Sequence, residues 1–209
     1  MKRILSIATF LLVTANALAQ DIRVGLHITP NITWANVVKE YEEKSSKIQF
    51  AWGIRAEKNY TDRNFSVFGG VDLTSKGSKI KLKGKDDSES IFEMNYSAKY
   101  LEFPIGIKMK TRPIGELSYW FNIGLVPNIK LSEDVTIEGF DAADKSYLSS
   151  FNMSLLVGAG VQYELTEGTD LVGGLQFNNG FTDNIKNTPF DYNSRVSFNS
   201  LGLFIGVLF

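Results

Sequence analysis

Apolar and polar residues alternate along most of this chain. Val24, Leu26 and Ile28 are separated by Arg23, Gly25, His27 and Thr29, and the same period of two returns over 50–57, 65–73, 101–109, 117–125, 151–164, 171–178 and 201–209. A period of two predicts strands rather than helices, because successive side chains of a strand point to opposite faces. One face of these eight segments carries no charge and includes Ile105, Ile107, Leu155, Val157, Leu203, Ile205 and Phe209. The other face carries Arg23, His27, Arg55, Glu57, Asp72, Glu102, Lys108 and Glu164.

Two architectures fit that partition. In a water-soluble sandwich the chargeless face packs inward; in a membrane barrel it meets lipid and the mixed face fills the lumen. Glycine favours the barrel. More than half of the eighteen glycines fall on the mixed face. A solvated strand gains nothing from glycine, whereas a narrow lumen must fit small side chains beside large ones. The connections agree. Short ones are expected near 60–64, 111–116 and 166–170, and long ones near 36–48, 75–97, 130–149 and 180–196. Tight periplasmic turns alternating with longer outer loops characterise outer-membrane barrels. A basic side chain at the bilayer midplane costs about 2–4 kcal/mol, which accounts for an outer face without charge. The expected fold class is all-β, an eight-stranded antiparallel up-and-down transmembrane β-barrel. Phe209, Tyr119 and Tyr163 then form an aromatic girdle at the periplasmic rim, and pairing the last strand with the first removes both open edges.

The N-terminus, MKRILSIATFLLVTANALAQ, has a charged start at Lys2 and Arg3, an apolar run from Ile4 to Val13, and a small-x-small site at Ala17-Leu18-Ala19. This predicts a signal peptide over 1–19 and a barrel domain over 20–209. The chain has no cysteine, which excludes disulfides, thiolate metal sites and the lipidated cysteine of a lipoprotein. With 22 basic and 23 acidic residues, no charge excess points to nucleic acid. No later stretch reaches the length of a membrane-spanning helix. The mean hydropathy of −0.07 looks soluble, but a barrel gives the same average because only alternate residues face lipid.

At KYLEFPIGIKMK the chain resembles the PorT-like outer-membrane β-barrel family of Bacteroidota, whose members carry a YLEIPL-type segment before a strand ending in lysine. Tyr100-Leu101-Glu102-Phe103-Pro104-Ile105 carries the likeness. The resemblance implies the barrel fold and an outer-membrane location, and links the chain to secretion across that membrane. It also implies partners: membrane lipid and lipopolysaccharide, the barrel assembly machinery that reads an aromatic terminal strand, and an envelope or secretion complex.

Candidate chemistry is sparse. His27 is the single histidine. Serving as a base for a lipid-modifying hydroxyl would require it on the outer surface, yet it alternates with lumen-facing residues and is expected to be structural. One histidine without cysteine gives no metal site, and no cofactor or catalytic residue is expected. Eight strands enclose a space just wide enough for side chains. Trp120, Phe68 and Phe204 are expected to fill it, with Arg23, Arg55 and Lys108 paired to Glu57, Asp72, Glu102 and Glu164. The lysine-rich stretch 76–90 is read as a solvated outer hairpin. Its alternative role is to touch lipopolysaccharide phosphates, or host molecules, as a surface interaction element.

Overall fold

The computed structural model describes residues 22–37, 41–60, 64–83, 91–137, 147–184 and 196–209. The expected signal peptide at 1–19 lies outside the described residues. Nine strand segments follow in order: β1 (Ile22–Val37), β2 (Tyr41–Tyr60), β3 (Phe65–Lys83), β4 (Ile91–Glu102), β5 (Ile105–Lys110), β6 (Leu117–Ile137), β7 (Phe151–Thr166), β8 (Thr169–Gly180) and β9 (Val196–Leu208). β4 and β5 share one position between β3 and β6, and β9 pairs with β1. The sheet therefore closes as an antiparallel up-and-down ring of eight strands. Its seam is bonded to the last residue: Val24 N donates to Phe209 O at 3.1 Å, and Phe209 N donates to Val24 O at 2.8 Å.

The pattern reads 101–109 as one strand, but the structure interrupts it at Phe103–Pro104. Proline has no N–H to give a ladder. The interruption is local. Leu73↔Leu101 and Gly69↔Ile105 keep one register across it, and Gly70 N still donates to Pro104 O at 2.9 Å.

Burial is inverted relative to a water-soluble sheet. Ile105, Ile107, Leu155, Leu203, Ile205 and Phe209 are exposed and Val157 is half-buried. Arg55, Glu57, Glu102 and Lys108 are enclosed, Lys108 being only 2% exposed. At the short-turn end, Gly115 and Gly168 hold left-handed backbone, with φ of 65° and 90°, which glycine adopts without steric cost.

On one side of the ring the strands outrun the apolar band. Pairing continues to Tyr41↔Leu82, Lys83↔Ile91 and Met94↔Ile137. The spans 36–48 and 75–97, expected as loops, are therefore largely strand, and 130–149 is strand as far as Ile137. Beyond lipid the outward row need not be apolar, so the sequence signal fades while the backbone still satisfies its hydrogen bonds in a ladder. Register shifts between Ser46 and Ala51 and between Lys99 and Tyr100 mark the transition. At the first, Thr33 Oγ1 donates to Gly77 O at 2.7 Å and accepts from Gly77 N at 3.2 Å, tying β1 to β3 across the irregular stretch of β2.

Candidate functional site

The inward rows of the strands meet in the lumen as layers of paired charge. Nearest the short turns, Arg23 pairs with Asp170, which also accepts a hydrogen bond from Gln162 Nε2. Lys108 Nζ donates to Gln162 Oε1 at 3.0 Å and to both carboxylate oxygens of Glu57 at 2.8 and 2.9 Å. The next layer holds Arg55, 3.6 Å from Asp72, with its guanidinium 5.1 Å from the Phe68 ring centre and 4.9 Å from that of Phe204. His27 Nε2 lies 3.3 Å from Asp72 Oδ1, and its ring packs 4.7 Å from Phe204. Farther toward the long connections, Lys76 Nζ meets Glu102 Oε1 at 2.6 Å above the ring of Tyr100. Arg23, Arg55, Lys76 and Lys108 are thus balanced by Glu57, Asp72, Glu102 and Asp170. Pairing of this kind is what makes burial of charge tolerable.

Aromatic side chains fill the space between the layers. Trp120 is 4% exposed, stands edge-on to Phe204 with ring centres 6.2 Å apart, and donates from Nε1 to Val161 O at 3.0 Å. Glycine makes room for it: a Cβ on Gly160 or Gly174 would meet Trp120 Cζ2 at 2.7 or 2.5 Å. In the half nearer the long connections Tyr96 stacks on Phe198 with centroids 4.7 Å apart, and Leu148 and Val196 are buried as well. Ser149 N donates to Asn184 O and Asn184 N to Val196 O, both at 2.8 Å, drawing these segments together at the long-connection end. Small cavities of about 10 Å³ each, room for roughly one water, lie beside His27, Arg55 and Glu57 and beside Lys76, Tyr100 and Asn128.

All but one of the expected lumen residues come together. Glu164 is exposed rather than enclosed. It lies one inward position nearer the rim than Gln162, where β7 leaves the lumen. Asp170, its partner across the β7–β8 ladder, instead takes Arg23. Two further charges are buried. The sequence pattern places Asp170 in a turn and Lys76 in an outer hairpin, yet each continues the inward row of its strand: Asp170 precedes Val172, Gly174 and Gln176, and Lys76 follows Asp72 and Thr74. One more inward step from Val172 reaches Asp170, and two from Asp72 reach Lys76. Phe68 and Phe204 are enclosed as expected. Residues 84–90, the tip of the lysine-rich stretch, lie outside the described residues.

A closed ring with apolar residues outside and paired ions inside is a membrane barrel turned toward lipid, and residues 16–186 match the family model described as outer membrane protein beta-barrel domain. The chain belongs to this family. It is an integral outer-membrane barrel. Neisserial surface protein A shares the fold at a TM-score of 0.53 and 17% identity, over 90% of this chain and 95% of that one. The outer membrane protein OprG of Pseudomonas aeruginosa aligns at a TM-score of 0.48 and 12% identity, again over 90% and 95%. No curated protein matches the chain.

Proposed function

We propose that this barrel is a closed, non-conducting membrane anchor with no catalytic site, which serves an envelope or secretion-linked complex through its outer strands. The observation that carries this reading is the balanced set of ion pairs crossing the lumen together with the Trp120 plug. Water-filled passage would require several buried pairs to open at once, and each broken pair leaves an unpaired buried charge. In this reading Ile105, Ile107, Leu155, Val157, Leu203, Ile205 and Phe209 contact acyl chains, and the lumen charges brace the wall. His27, enclosed between Asp72 and Phe204, supports a structural role over that of a base acting on lipid. The likeness of 100–105 to PorT-like barrels supports the link to secretion, and the aromatic end of the seam supports delivery by the barrel assembly machinery.

Planar-bilayer recording of the refolded barrel tests closure. No unitary conductance is expected; regular single-channel steps from the wild-type protein would overturn the reading. A deletion strain tests the role: its culture medium should lose exported proteins. Normal secretion with lost surface binding would favour a second reading, a surface interaction protein, which the raised strands of β2, β3, β4 and β6 support.

A further inference from the structure

Lys76, Glu102 and Asn128 sit on the inward rows of three neighbouring strands, β3, β4 and β6. Glu102 is the direct cross-strand partner of Asn128. Lys76 reaches back from the row of Ala98 to bring its Nζ within 2.6 Å of Glu102 Oε1. A carboxylate therefore stands beside both an amine and a side-chain amide. All three residues are enclosed, at 5%, 4% and 2% exposure. The wall around them is largely apolar: the amine lies 5.5 Å from the centre of the Tyr100 ring, and Ala98 and Val126 are buried on the same inward rows.

Lys76 and Lys108 are held differently. Lys108 Nζ has three acceptors, both oxygens of Glu57 and the amide oxygen of Gln162, which engages every hydrogen of an ammonium. Among the described residues Lys76 is paired with Glu102 alone. The Asn128 amide is loosely held. Its Nδ2 donates to Ser154 Oγ at 3.4 Å, and its buried Oδ1 has no hydrogen-bond donor among the described residues. Lys76 and Asn128 also border one cavity of about 10 Å³. An amine that leaves Glu102 has that space in which to reach the amide carbon.

We propose that Lys76 and Asn128 join in an isopeptide bond, with Glu102 carrying the protons. Lys76 hands one proton to Glu102, and the freed amine attacks Asn128 Cγ. The Nζ–Cγ bond forms. Glu102 passes a proton to the departing Nδ2 and takes one from Nζ; the Cγ–Nδ2 bond breaks and ammonia leaves. The hydrogens of the ammonium and the primary amide end on the new amide, on Glu102 and on ammonia, and no oxidant or second reactant is needed. The reaction turns a buried cation and a buried anion into neutral groups, which removes the cost of keeping both out of water. Enclosure holds amine and amide together and keeps bulk water from competing for the carbon. The charge balance of the lumen is unchanged, because one acid and one base leave it together. The bond clamps β3 to β6 across β4, at the base of the raised strands.

The test uses the full barrel extracted from outer membranes. Its mass should fall short of the mature sequence by one ammonia, and protease digestion should yield a branched peptide joining Lys76 to Asn128. The branched peptide decides, because a cyclised N-terminal glutamine gives the same loss of mass. K76R keeps the cation and removes the nucleophile. It should give no branch, and its boiled gel band should run behind that of wild type, whose chain stays closed between the two residues after denaturation. E102Q has no carboxyl to carry protons and should form the branch roughly a hundred-fold more slowly on refolding. A wild-type digest holding only linear peptides over both residues overturns the proposal, whatever the variants do. A branch formed as fast in E102Q as in wild type overturns it as well, since the carboxyl is then a bystander. If E102Q gives no heat-shifted band, the wild-type and K76R digests decide.

Discussion

Gly160 and Gly174 are small because Trp120 lies across them. Gly174→Val forces the indole or the strand to move, and overpacking of this kind costs about 1–3 kcal/mol. The temperature at which the folded gel band converts to the unfolded one should fall for this variant and stay nearly unchanged for Gly173→Val, where a Cβ meets open space. Charge works differently at the same scale. Lys108→Met leaves Glu57 buried without its cation, a loss of roughly 3–5 kcal/mol, whereas replacing both partners by apolar residues is often close to neutral. Urea unfolding in micelles should therefore show K108M far weaker than E57M/K108M. The inward rows that hold these residues were legible from alternation alone. Their partners were not, because pairing depends on which strands face each other across the lumen, and a single chain reads only along itself. Arg23 finding Asp170, which the pattern places in a turn, is the clearest case.

Alternation revealed the elements wherever one face meets lipid and went silent above it. β7, whose outward row is apolar from Phe151 to Tyr163, shows the period nearly end to end. β3 shows it only to Leu73, although its ladder continues to Lys83. A polar-on-both-sides strand has no period to detect, so the raised portion had to come from pairing. Amide exchange should separate the two regimes: the amides of Leu155 and Val157 should exchange much more slowly than those of Lys79 and Asn95, whose ladder bonds stand in water. Comparable protection throughout would place the apolar band higher than the row ending at Leu73 and Leu101. Pro104 offers a finer probe. It sits opposite Gly70 in an otherwise unbroken register and already accepts that residue's N–H. Pro104→Ala supplies the missing donor on the same side, and the new amide should be protected if β4 and β5 fuse into one strand.

For the molecule as a whole, the deciding property is which surface meets hydrocarbon. Nitroxide labels at Ile105 and Leu155 should be accessible to oxygen and shielded from a water-soluble nickel complex; the reverse pattern would require a secreted sandwich. The seam between β1 and β9 has a further consequence for biogenesis. It joins residues from opposite ends of the sequence, so most of the chain emerges before any barrel can exist. Until residues 196–209 arrive, β1 and β8 each present a bare strand edge, the state most prone to sticking to other chains. Transit across an aqueous compartment therefore calls for a holdase that masks those edges. Depleting such chaperones should leave this protein aggregated even when every lumen residue is intact.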